Sequence, residues 1–380
     1  MLMDAPTLNK PANRLLYLDI ARALAIFLVC LNHAVNRSYS NYHNQLNEFV
    51  AIPMVSTLFK MLCTYASQLG VPLFLMISGV LLFRKPMDSP ENIKKFYKKN
   101  LLSILITTEI WYVLSYWYLV LFDSSYSYVL KKGWAFAIDG MFKNVLFLDQ
   151  ITFGSMWYMP MILCIYTIIP FLIIVKGKLQ GQKFSPMVLL PIFLLYGVTM
   201  VMPAINALLD LGGKDQLSLN LYAADLLPMF LLYILVGYFV GQGCLSRFKT
   251  WAVALAAVVT FGICCGVQYY AYSQPVDYLV SYSFPLTPLC AAFLFELFRR
   301  SAPLFHKIQP AIGYISRISF GIYFVHIVIM TELVRFIGDW DMTRPLRLVI
   351  YLFVSFLGSI AVIAPLSKIP LLRKYLFMIK

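Results

Sequence analysis

The chain has 380 residues, 61% of them hydrophobic and only 13% charged, where a soluble domain carries about 25% charged residues. With a mean hydropathy of +0.75, this excludes a soluble globular protein and points to a polytopic membrane protein. A net charge of +14 would suit a nucleic-acid partner, but the basic residues lie in short loops between apolar runs, a pattern that membrane topology explains and that argues for no nucleic acid.

Apolar runs long enough to cross hydrocarbon predict helices over 15–36, 58–83, 100–122, 150–175, 187–208, 223–243, 250–271, 280–298, 312–336 and 346–367. The fold expected is an all-α bundle of about ten transmembrane helices, since lipid demands that each helix satisfy its own backbone. Residues 1–13 are polar and read as a short cytoplasmic tail. No small-residue cleavage pattern follows the first apolar run, so that helix is expected to stay in the protein. Residues 14–380 read as a single membrane domain, with no repeat, low-complexity tract or appended soluble part.

An even number of spans puts both termini on one side. Sorting Lys and Arg by loop gives roughly 21 against 9, with Arg22 left inside the membrane. The richer face, which includes Arg84, Lys85, Lys94, Lys95, Lys98, Lys99, Arg299, Arg300 and Arg317, is expected to be cytoplasmic, and so are both termini. Glu48, Lys60, Asp123, Arg335 and Arg344 fall on the other face. The longest connection there, 123–154, holds Tyr126, Tyr128, Trp134 and Phe136, either as an interfacial segment or as a substrate contact. The seven cysteines all sit in apolar segments without a Cys-x-x-Cys pair, so neither a disulfide framework nor a metal site is expected.

The first helix raises the question of chemistry. In "ARALAIFLVCLNHA" (21–34), every residue between Arg22 and His33 is apolar except Asn32. Eleven residues at about 100° each return to nearly one face, and the rise separates the two by about 16 Å. Asp19 shares the stripe. Ionisable residues in a span are costly and usually face a cavity or a partner. One reading is structural: Asp19 and Arg22 pair at the inner interface, and His33 hydrogen-bonds a neighbouring helix. The other is catalytic. An imidazole titrates near neutral pH and can take a proton from a hydroxyl, while a guanidinium can fork onto a phosphate or carboxylate. Together they suit acyl transfer from a phosphorylated carrier such as coenzyme A.

Arg22, ten residues and His33 resemble the Arg/Lys-x10-His signature of the acyltransferase family 3 membrane proteins. "VPLFLMISGVLLF" (71–83) looks like the family's second-helix Ser-Gly motif. "MWYMP" (156–160) is similar to its Trp-containing segment, and "YISRISFGIYFVH" (314–326) to its late Ser-x-Gly-Ile-Tyr-x-x-His segment. The resemblance spans 14–367 and is nearest to single-domain O-acetyltransferases of surface polysaccharides or their lipid-linked precursors. It implies His33 as catalytic base, and Arg22 as a residue that holds the acyl donor or orders the stripe. Where the family often has Arg-x-x-Arg, this chain reads "KKFYKKN". Lys95 and Lys98 keep the spacing but cannot make the bidentate fork; they are read either as an electrostatic platform for coenzyme A phosphates or as plain positive-inside topology.

Further candidates have two readings each. Ser78 and Gly79 suit close packing better than nucleophilic chemistry, for which Ser78 has no adjacent base. Trp157 and Tyr158 line an acceptor path or an interfacial belt. Tyr323 belongs to the late motif, and His326 is a second imidazole or a packing residue. Glu109, mid-span, should not face lipid, and Glu296 should pair with Arg299 and Arg300.

The function expected is that of a membrane O-acyltransferase in a bacterial inner membrane. It would move an acetyl group from acetyl-CoA, a cosubstrate rather than a bound cofactor, to a glycan hydroxyl, by direct transfer or through an acyl-enzyme. The alternative is a transporter of polysaccharide or small anions using Arg22, Glu109 and His33 as its path. Against it stands the lack of paired halves with matching Gly- or Pro-interrupted helices.

Overall fold

The computed structural model describes residues 15–39, 45–147, 151–179, 196–214, 226–274 and 279–379. The tail at 1–13 and the first part of the helix expected at 187–208 lie outside them. Among the described residues every regular element is helical: α1 (Leu16–Ser38), α2 (Gln45–Ala51), α3 (Met54–Gln68), α4 (Gly70–Leu82), α5 (Pro90–Phe96), α6 (Leu102–Phe122), α7 (Ser127–Lys131), α8 (Trp134–Val145), α9 (Tyr158–Leu179), α10 (Met202–Leu211), α11 (Leu226–Gly241), α12 (Thr250–Tyr272), α13 (Thr287–Ser301), α14 (Gln309–Ile337), α15 (Arg344–Leu366) and α16 (Pro370–Tyr375).

Seven helical stretches are long and apolar enough to cross a membrane, and Met202–Leu211 and Met229–Gly241 are shorter apolar helices. One stretch, Thr287–Ile337, contains two of the expected spans: α13 and α14 follow each other through a 3-10 turn at Ala302–Ile308. The helix expected at 58–83 is in fact two, α3 and α4, with a break at Leu69. Pro72 has no N–H to give the Gln68 carbonyl, which frees the chain to bend there. The helix expected from 280 begins at Thr287, and 279–286 is a loop of turns. The stretch 123–154 is partly helical, as α7 and α8, and Tyr116 donates 2.7 Å to the Ala137 carbonyl to hold α8 on α6.

The first helix is the hub. α1 packs against α3, α4, α13, α14 and α15, and Ala21, Ala25, Ile26, Cys30 and Ala34 are fully buried. Small residues let its neighbours come close: a Cβ on Gly70 would stand 3.0 Å from the Ala25 carbonyl oxygen. The α4–α11 crossing is tighter still. A Cβ on Gly79 would overlap the Ile234 backbone, and one on Gly237 would overlap the Met76 backbone. Gly237 and Gly241 form a small-xxx-small face that suits direct backbone packing in lipid.

Ion pairs close the two ends of the bundle. Glu296, buried on α13, accepts from Arg299 and Arg300 at 2.7 Å, and Arg300 also donates to the Leu245 and Phe248 carbonyls at 2.8 Å. At the other end buried Glu48 pairs with Lys60 at 2.5 Å and with Arg344, tying α2 to α3 and α15.

Filling the α4–α11 contact should separate the helices. Gly237→Leu is expected to cost about 1–3 kcal/mol, read as a lower melting temperature in detergent. Gly262→Ala, on a face of α12 with nothing within 4 Å, should leave melting unchanged; equal melting of both variants would refute the crossing.

Candidate active site

A cavity of about 490 Å³ lies beside α1, lined also from α3, α4, α6, α9 and α14. One end is basic. Arg22, Lys85 and Arg317 line it with Asn100. Asn100 belongs to a π-helical turn, Tyr97–Leu101, that joins α5 to α6. Its amide donates 3.0 Å to the Phe96 carbonyl and its oxygen accepts from Lys85. Such turns widen a helix by one residue and are frequent at functional sites. Asp19 lies behind this end, buried, and accepts 2.6 Å from Ser316 on α14, which fixes α1 against α14.

Midway the wall is apolar, with Val29, Phe74, Ile77, Ile162 and Phe320. Ser78 lines the cavity, but its hydroxyl donates 3.0 Å to the Phe74 carbonyl of its own helix. Gly79, on the other face of α4, makes the crossing described above. Tyr158 and Tyr166 of α9 also line the cavity.

The other end holds His33, Asn32, Ser67, Ser155, Trp157 and Tyr323. Asn32 is held on both sides: its amide nitrogen donates 3.1 Å to Ser67, and its oxygen accepts 3.2 Å from Asn36. Tyr323 donates 2.5 Å to the Ser155 carbonyl, which docks the turn before α9 onto α14. His326, fully buried one turn further along α14, has its ring centroid 5.2 Å from that of His33, at 45°. Its Nδ1 lies 2.7 Å from the Ile322 carbonyl. A carbonyl only accepts, so Nδ1 carries the proton and Nε2 is an acceptor. That Nε2 is buried without a hydrogen-bond partner.

The cavity thus brings together Arg22, Asn32, His33, Ser78, Trp157, Tyr158 and Tyr323, with Asp19 and His326 directly behind its wall. It leaves out three candidates. Lys95 and Lys98 are exposed on α5 and the π-helical turn and do not line it. Glu109 is half-buried on α6, away from the cavity, with its Oε2 lacking a hydrogen-bond partner. Lys85, Asn100, Tyr166, Ser155 and Arg317 belong to the site and were not singled out by the motifs. Lys85 was visible only as a member of the basic face, Arg317 lay inside the late segment 314–326 without a role assigned to it, and the others had no signal in the sequence.

No curated protein and no solved structure matches the chain. Residues 15–364 match the family described as acyltransferase domain, which covers all of the cavity's walls except Met378 and replaces the transporter alternative. With this match over nearly its whole length, and with seven helical stretches among the described residues long and apolar enough to cross a membrane, the chain belongs to acyltransferase family 3 and is a multi-pass membrane acyltransferase.

Proposed function

We propose that this acyltransferase moves an acetyl group from acetyl-CoA to a hydroxyl of a cell-surface polysaccharide or its lipid-linked precursor, with His33 as general base. The observation behind this reading is one continuous cavity that joins a cluster of three cations to His33. In this reading about ten helices span a bacterial inner membrane, and both termini and the basic end of the cavity face the cytoplasm, as the loop charges favour. Residues 1–13 form a cytoplasmic tail, and 14–380 form one domain.

Coenzyme A brings phosphates and a long, uncharged arm. Arg22, Lys85 and Arg317 suit the phosphates, and Lys95 and Lys98 raise the local anion attraction from outside. The arm suits the apolar midsection, and the thioester arrives at His33. The hydroxyl oxygen of the acceptor attacks the thioester carbonyl carbon while His33 takes the hydroxyl proton. The Asn32 amide, fixed by Ser67 and Asn36, has a second N–H to offer the oxyanion. The C–S bond then breaks, the thiolate leaves, and His33 returns the proton to sulfur. Acyl-CoA and alcohol become ester and free coenzyme A, and no covalent enzyme intermediate is required.

His326 acts here as a positioning residue. Its Nε2 can only accept, and His33 is the neighbouring ring. An N–H from His33 to this nitrogen leaves the second His33 nitrogen free to face the acceptor. It also strengthens once His33 is protonated, because the bond is then charge-assisted.

In a deletion strain, His33→Ala at wild-type membrane abundance should fail to restore base-labile acetate on surface glycans, with a rate loss of about 10²–10⁴-fold; full restoration would make His33 a packing residue. Arg317→Ala should raise KM for acetyl-CoA about tenfold or more at unchanged kcat, and an unchanged KM would remove it from the donor site. His326→Leu should lower kcat about 10–100-fold without moving KM for acetyl-CoA. His326→Gln, whose amide oxygen also accepts, should recover part of the rate. A purely structural histidine would show equal losses in both variants and in protein yield.

A further inference from the structure

A second cavity of about 360 Å³ adjoins the first beyond His33 and shares Asn32, Trp157 and Tyr282 with it. Among the described residues, none that lines it carries a formal charge, in contrast to the three cations at the far end of the main cavity. Arg37, the next residue after Asn36, is not on its wall.

Its walls are of two kinds. Trp157 stands near Phe230 and Tyr282, with ring centroids 5.5 Å and 6.0 Å away and planes tilted by about 35°. Trp157 is 38% exposed, so it offers ring surface to the opening. The polar wall consists of Asn36 and Gln68 on one side and Ser281 and Ser283 on the other. Gln68 is only 4% exposed, yet among the described residues no hydrogen bond holds its amide. Gln68 lines this space, where its amide can offer a ligand two N–H donors and one acceptor oxygen.

The serine side is built rather than loose. Gln268 accepts 2.5 Å from the Val280 amide, Thr287 donates 3.0 Å to the Ser281 carbonyl, and Tyr233 donates 2.6 Å to the Tyr282 carbonyl. Three helices thus hold the loop before α13 in one shape, which is what a precise polar site requires.

Resting on the acyl-transfer reading, we propose that this vestibule is the acceptor subsite and that it takes an uncharged pyranose ring. The ring's apolar face lies on Trp157, and its hydroxyls pair with Gln68, Asn36 and the two serines. One hydroxyl points past Asn32 to His33. A sugar acid is disfavoured because its carboxylate would be desolvated with no cation among the described lining residues to meet it. The two halves of the site are therefore sorted by charge: the anionic donor belongs to the basic end and the neutral acceptor to the vestibule.

The test uses the full chain in lipid nanodiscs and ligand-observed saturation-transfer NMR. The probes are methyl β-D-glucopyranoside, methyl N-acetyl-β-D-glucosaminide and methyl β-D-glucuronide. The two neutral glycosides should receive saturation on their ring protons, and the glucuronide should bind at least about fivefold more weakly. Gln68→Leu and Trp157→Leu should each weaken the neutral rings about tenfold. Asn36→Lys, at the exposed rim, should gain glucuronide binding, which a folding defect cannot produce. The inference is overturned if the glucuronide binds the wild type as well as the neutral rings, if Gln68→Leu melts normally and keeps the signal, or if no ring binds. Thiol release from acetyl-CoA in the presence of the glycosides is read in the same samples. Sugar binding without thiol release sinks acyl transfer and leaves the vestibule standing; thiol release without sugar binding does the reverse.

Discussion

The architecture depends on the cost of placing ionisable groups in hydrocarbon. Asp19, Arg22 and His33 on one helix cannot face lipid without several kcal/mol of penalty each, so α1 has to be enclosed. Five helices enclose it. Their close approach relies on Ala25 facing Gly70, and on the glycine crossing that lets α11 reach α4. Arg22 and His33 of the polar stripe line a cavity, and Ser316 and His326 of α14, which meet Asp19 and His33, provide polar surroundings that lipid cannot.

Much of this was legible in the chain. The apolar runs give the helices, because hydrocarbon thickness dictates their length. The eleven-residue spacing places Arg22 and His33 on one face, because helical periodicity is rigid. Three limits appear where longer-range packing decides. The break at Leu69 follows from a proline near a helix start, a position that on its own is compatible with an unbroken helix. The π-helical turn that brings Asn100 beside Lys85 has no local code. The loop at 279–286 is apolar and aromatic enough to pass for helix, and only its bonds to Gln268, Tyr233 and Thr287 reveal it as a shaped wall.

The lysines show where residue type misleads. Lys95 and Lys98 have the spacing of a recognition motif but point to solvent, whereas Lys85, in a less suggestive context, lines the cavity. Spacing on a helix fixes direction only relative to that helix. Whether a side chain meets the site depends on how the helix is docked, and α5 lies outside the ring of helices around α1.

The apolar waist has a meaning apart from transfer. A passage between the ends of a membrane protein threatens the insulation of the bilayer, on which every ion gradient depends. Val29, Phe74, Ile77, Ile162 and Phe320 give the cavity an apolar midsection that water wets poorly, and apolar stretches of this kind oppose the passage of ions. Arg22 beside it repels protons and metal cations. Two polar ends can therefore share one cavity across an apolar midsection, and the bilayer keeps its electrical resistance although a polar cavity lies inside it.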